Sequence, residues 1–216
     1  VPKNHIYAGL NNLFGEVTWF YPGSGAASNN RSVTYNYMDS SAERPVWTTS
    51  SLARSTWSDS HIFGKPHATE YDSDSTSDAT VGNTDGCTTY YEHETGNNQI
   101  KAGTSTAITA NIQSGDFDLG QQGLDGDGEL IMKIRRVLPD FLTQTGDTRV
   151  TLNLKNYPTD SEASSSLGPF DVTTSTTKID TRARARAVAL KISNTAVGQH
   201  WKLGTFRLDI QPDGRR

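Results

Sequence analysis

The side chains able to do chemistry are five histidines, twenty-four carboxylates and one cysteine. The histidines are His5, His61, His67, His93 and His200, and no pair stands at a zinc-ligand spacing such as HExxH. His93 lies between Glu92 and Glu94 on a predicted strand, so both carboxylates point away from the imidazole and adjacency builds no triad. Cys87 is alone, which rules out an internal disulfide and the paired-cysteine metal patterns. Asp125-Gly126-Asp127-Gly128-Glu129 has the look of a calcium loop. Counted from Asp125, however, the sixth and twelfth positions are Leu130 and Arg136, where an EF-hand needs glycine and a bidentate acid. A Gly/Asp turn is the simpler reading. No nucleophile elbow, P-loop or dinucleotide fingerprint occurs, and nothing singles out a carboxylate pair for glycoside hydrolysis. The expectation is a protein that is not an enzyme and holds no cofactor or metal.

Two constellations suit binding instead. Arg182, Arg184 and Arg186 alternate in the run Thr181–Ser193 and would form a basic row about 13 Å long at ~3.3 Å per residue. Such a row needs phosphate, acids or water. It could touch nucleic-acid phosphates in a channel or pair with acids at a subunit interface, and structural ion pairing is the default with Asp180 and Asp209 nearby in sequence. The second constellation is aromatic: Trp19, Phe20, Tyr21, Tyr35, Tyr37, Trp47 and Trp57. Trp47 and Trp57 could offer an aromatic surface to a sugar, although strand aromatics more often pack on cross-strand neighbours.

These residues are carried by segments of period two, the mark of β-strands. Glu16–Tyr21 ends at the Pro22-Gly23 turn. Ser32–Met38, Val46–Arg54, Thr56–Phe63 and Cys87–Glu94 follow, with turn residues between them and no helical period. Beyond Ile100 the strands lengthen: Ala107–Ile112, Leu130–Val137, Arg149–Leu154 and two C-terminal runs. Leu130–Phe141 fits a helix nearly as well as a strand, and a strand is preferred. In Thr181–Ser193 the even positions from Arg182 to Ile192 share one face and Ala183 to Ala189 the other. This run and His200–Gln211 are expected to pair antiparallel, with Gly204 as a register-resetting bulge. The fold class predicted is all-β: an antiparallel, propeller-blade-like region over 1–99 and a β-sandwich of six or so strands over 100–216.

Bulk composition agrees with a loop-rich β protein. Only 33% of the 216 residues are hydrophobic, and the mean hydropathy is −0.60. Asp72–Gly86 is polar, acidic and low in complexity, which predicts a surface loop. No run is long enough to span a bilayer as a helix. The net charge of −4 divides unevenly: residues 1–128 carry 6 Lys/Arg against 15 Asp/Glu, residues 129–216 carry 14 against 9. The two parts are expected to face different partners, or opposite parts in a symmetric assembly. The start, Val1-Pro-Lys-Asn-His, has neither initiator Met nor apolar leader, which suggests processing or a piece of a longer chain.

Several motifs, in order, resemble a structural protein of tailed bacteriophages. Trp19-Phe20-Tyr21-Pro22, Tyr35-Asn36-Tyr37, Trp47, Leu52-Ala53-Arg54-Ser55-Thr56-Trp57 and Tyr91-Glu92-His93-Glu94 look like one blade region. Val137-Leu138-Pro139-Asp140-Phe141, Lys155-Asn156-Tyr157-Pro158, Gly168-Pro169-Phe170 and the run from Arg182 through Trp201, Gly204 and Phe206 to Arg216 look like its C-terminal module. The family is that of short-tail nozzle or hub proteins, also described as tail tubular protein B-like or DNA-stabilisation-type tail proteins. The resemblance covers most of the chain. It implies a six-bladed propeller with added β-domains, localised in the virion tail as a six-fold ring around the DNA exit channel. Partners would be other copies of the chain, an adaptor on the portal side, tail fibres or a needle, and passing genomic DNA. A chain of 216 residues is too short for six blades, so a C-terminal portion is expected. The alternative is a receptor- or carbohydrate-binding β-sandwich of the phage tail.

Overall fold

The computed structural model describes residues 6–26, 28–60, 63–72, 87–101, 103–120, 123–124, 128–157, 159–160 and 165–215. Most of the acidic stretch 72–86, together with Asp125, Asp127, His5 and His61, lies outside them. The described residues are all-β, with no helix among them. Two compact units divide the chain, Val1–Gly96 and Asn97–Arg216.

The first unit begins with four strands: β1 (Tyr7–Asn11), β2 (Glu16–Tyr21), β3 (Arg31–Asn36) and β4 (Val46–Ser50). They pair antiparallel in sequence order. Alternation in β2 decides the two faces. Thr18 and Phe20 are buried, and Ser32, opposite Phe20, is buried with them. Val17 and Trp19 point the other way, beside Tyr35 and Val33. A second meander, β5 (Thr56–Ser58), β6 (His67–Asp72) and β7 (Cys87–Glu92), follows. Its Trp57 packs on Phe20 at 5.5 Å and donates its indole N–H to the Leu10 carbonyl at 2.7 Å. Gly9 is glycine for a reason visible here. A Cβ at this position would lie 2.4 Å from the Trp57 ring.

Among the described residues, thirteen strand segments fall in the second unit, where about six were expected. A hairpin of β8 (Asn98–Lys101) and β9 (Thr104–Ala107) is followed by β10 (Asn111–Gln113), β11 (Phe117–Gly120) and β12 (Gly123–Leu124). The predicted strand Ala107–Ile112 is therefore interrupted between β9 and β10. Next come β13 (Leu130–Leu138), β14 (Phe141–Thr145), β15 (Thr148–Lys155) and β16 (Ser166–Val172). The last four are β17 (Ile179–Ala185), β18 (Ala187–Ser193), β19 (His200–Leu203) and β20 (Arg207–Arg215). Leu130–Leu138 is a strand, as preferred.

Two sheets supply one apolar cluster. The first is ordered β12-β11-β18-β15-β16, the second β17-β13-β20. Met132, Ile134 and Val137 of β13, Ala183 and Ala185 of β17, Val150 and Leu152 of β15, and Val188 and Ile192 of β18 are all buried in it. β16 is an edge strand, which tolerates Pro169 because that edge asks for no ladder donor.

The expected pairing of the two C-terminal runs does not hold. At Arg186 the first run bends and changes sheet: β17 pairs with β13, whereas β18 pairs with β15. The buried phase changes with it, from Ala183 and Ala185 to Val188 and Ile192. Gly204 is a strand break rather than a bulge. It separates β19, paired with β14, from β20, paired with β13, and its N–H is held by the Asp140 carbonyl at 2.9 Å. A side chain at 204 would press on Asp140 at 3.0 Å.

Candidate functional site

Strand β17 buries its alanines and turns Arg182 and Arg184 to solvent. The neighbouring β13 does the same with Lys133 and Arg135 while burying Met132 and Ile134. Lys133 stands directly opposite Arg184. The ladder slips at Arg135 on both sides. Ile134 pairs with Ala183 and Ile210, whereas Arg136 pairs with Asp180 and Asp209. Such irregularities re-aim side chains, and here Arg135 is exposed and Arg136 half-exposed in succession. The result is a groove of about 480 Å³ lined by Lys133, Arg135, Arg136, Arg182, Arg184, Thr181, Asp180 and Asp213.

Two of its cations are compensated. Arg136 Nε lies 3.0 Å from Asp180, which Lys178 also reaches at 2.9 Å. Hydrogen bonds from Lys178 and then Arg136 hold the Asp180 carboxyl below its usual range. Arg184 pairs with Asp213 at 2.5 Å. Lys133, Arg135 and Arg182 have no ion-pair or side-chain hydrogen-bond partner among the described residues. Thr181 ties β17 to β13 through its hydroxyl, which donates to the Ile134 carbonyl at 2.7 Å.

Of the three arginines read from the sequence, the structure keeps two together. Arg186, at the bend, leaves the row. Its guanidinium donates to the Gly128 carbonyl at 2.6 Å and it lines a second hollow with Asp116, Asp118, Lys155 and Tyr157. Lys133, Arg135 and Arg136 were not singled out in the sequence. The alternation Met132-Lys133-Ile134-Arg135 carried the signal, but only the pairing of β13 with β17 makes it a site.

The two tryptophans do not share a surface. Trp47 is 52% exposed and packs on Tyr35 at 4.7 Å and Trp19 at 5.9 Å, on the face away from Phe20. Trp57 is half-buried on the Phe20 side, against His93 at 4.6 Å.

Beside Trp57 lies a buried polar cluster that the sequence did not disclose. Arg54 donates from Nε to His93 Nε2 at 2.9 Å and from Nη1 to its neighbour's carbonyl, Ala53, at 2.6 Å. The same Nη1 is 3.5 Å from Glu70, which also accepts the Tyr91 hydroxyl at 2.8 Å. The guanidinium carbon sits 4.0 Å over the Tyr91 ring. Because His93 Nε2 accepts, the imidazole is neutral. Burial first, then the Arg54 charge, push its pKa down to about 4. Burial pushes the nearby Tyr7 phenol up to about 12, against the opposing pull of Arg54. With its acceptor nitrogen occupied, His93 is a structural residue rather than a base.

A pH dependence follows. The His93 pKa is depressed in the folded chain, so its contribution is complete above about 6.5 and is lost as pH falls toward 4. The expected loss is about 2 kcal/mol, discounted for partial exposure. Melting curves between pH 7 and 4 should show it, and His93→Gln should flatten that slope. An unchanged slope in the variant would remove His93 as the cause.

Among the described residues, no three His, Cys, Asp or Glu side chains are grouped to hold a metal ion, and no helix is long and apolar enough to cross a membrane. The chain matches no family model and no curated protein sequence.

Proposed function

We propose that the chain is a non-enzymatic structural component of a bacteriophage tail, assembled as a ring of identical copies around the DNA exit channel between adaptor and distal tail parts. The observation that carries the assembly half of this reading is apolar surface with no cover. Trp47, Tyr90, Ile100, Ile108 and Leu142 are each more than half exposed. Strand β4, Val-Trp-Thr-Thr-Ser, is exposed at every position and forms the end of its sheet. It carries no charge and no proline, the usual devices that keep an open edge from pairing. Surfaces of this kind are stabilised by neighbours. Support for the tail half comes from the order of the aromatic and C-terminal motifs, and a propeller-and-sandwich architecture goes with it.

The test is cryo-electron microscopy of the intact particle with symmetry measured rather than imposed. A ring of this chain around the channel is expected. Absence from purified virions would sink the proposal. A peripheral trimer or monomer would transfer the chain to receptor or carbohydrate binding, a reading that the half-exposed Trp47 favours. That rival requires glycan binding that Trp47→Ala abolishes without unfolding the chain.

A further inference from the structure

We propose that the groove on β13 and β17 is a binding surface for the phosphodiester backbone of nucleic acid, read without regard to base sequence. This names a partner for the candidate site that the assembly reading leaves open.

Five cations and two carboxylates line the groove, a local balance of +3 in a chain of net −4. Lys133, Arg135 and Arg182 are the uncompensated three. A cluster of exposed cations in excess of its counter-charges is the electrostatic footprint of a polyanion site.

The lining of the groove is Lys, Arg, Asp and Thr, with no apolar or aromatic side chain. Protein interfaces bury an apolar centre from which charged residues are depleted. A subunit contact through this face would have to desolvate five cations with no apolar gain. Phosphate contacts need no apolar anchor, because released counterions supply the affinity. The exposed apolar residues used above for assembly, such as Trp47 and Leu142, are not part of this lining.

Arg182 and Arg184 are alternate residues of one strand, about 6.6 Å apart at ~3.3 Å per residue, and both are exposed. Lys133 stands beside Arg184 on the next strand, and the ladder slip brings Arg135 to the same face. Four of the five cations are arginines, whose planar fork can hold two phosphate oxygens at once. The buried alanines and the Thr181 hydroxyl hold the row on a sheet rather than a loop.

The experiment is fluorescence anisotropy of two labelled 20-base-pair DNA duplexes of unrelated sequence, titrated with the intact chain at 50–200 mM salt. Both duplexes should bind equally. With three phosphates neutralised, affinity should fall roughly 40-fold across that salt range. Lys133→Glu and Arg182→Glu should each weaken binding at least tenfold and reduce the salt slope by about one. Arg44→Glu makes the same charge change at an exposed residue of the first unit and should leave binding as it was. Circular dichroism of each variant checks the fold, and Arg182→Lys should retain most of the binding. The proposal is overturned if neither duplex binds, if Arg44→Glu weakens binding as much as the groove variants, or if the groove variants lose self-association without any DNA binding. The last result would assign the face to a subunit contact. A chain that forms rings yet ignores DNA would overturn this proposal alone and leave the assembly reading standing.

Discussion

Replacing Arg54 with alanine is expected to destabilise the first unit by about 3–5 kcal/mol, the range for removing one member of a buried ion pair. The side chains of Arg54 and Glu70 are only 5% and 18% exposed. Without the guanidinium, the Glu70 carboxylate keeps the hydrogen bond from the Tyr91 hydroxyl and loses its cation. His93 Nε2 loses its donor, and the Ala53 carbonyl loses another. Arg54→Lys is expected to recover little, because one ammonium cannot serve Nε and Nη1 partners in the same plane. Three of the four tryptophans, Trp19, Trp47 and Trp57, lie in this unit, so the urea midpoint of intrinsic fluorescence reports on it. A shift of less than about 1 kcal/mol would show that the cluster relaxes or admits water, and would end the claim that Arg54 organises it.

Leu152→Ala should cost the second unit about 2–5 kcal/mol through lost burial and the cavity left behind. Leu152 is fully buried in β15, opposite Leu190 on one side and Leu167 on the other. It belongs to the same cluster as Ile134 and Val188, so the cavity would open where the two sheets share their apolar side chains. Leu142→Ala is the matched control. That side chain is 65% exposed, and its loss should stay within about 0.5 kcal/mol. Equal effects from both substitutions would mean that the cluster around Leu152 is not the core of the unit.

Much of the strand pattern was legible because burial on one face writes itself as alternation. Glu16–Tyr21 and Leu130–Leu138 are strands in the structure where the sequence placed them. The strand break at Arg186 was not legible. Alternation continues unbroken through Arg182, Arg184 and Arg186 into Val188, and nothing local marks the residue where the chain leaves one sheet for another. Half of the candidate groove was hidden for the same reason. Lys133 and Arg135 become neighbours of Arg184 and Arg182 only through a ladder between distant segments. The Arg54 cluster was invisible for a different cause: Arg54 reads as the end of the expected strand Val46–Arg54, and nothing local shows that His93, Glu70 and Tyr91 converge on it.

The order in which the strands find one another has a consequence for synthesis. In the first unit each strand of the two meanders pairs with the next, so no closing loop exceeds the 14 residues between β6 and β7 and pairing is local. In the second, β13 waits for β17, about 40–55 residues downstream, and for β20, about 70–85 downstream, which is the non-local topology that folds slowly. At translation speeds of about 5–20 residues per second, roughly 4–17 s pass before β20 can follow β13 out of the ribosome. During that interval Met132, Ile134 and Val137 have no sheet to cover them on the β20 side. The nascent second unit is thus the part of this chain that most needs shielding while it is being made, because its apolar strands emerge seconds before the strand that completes their sheet.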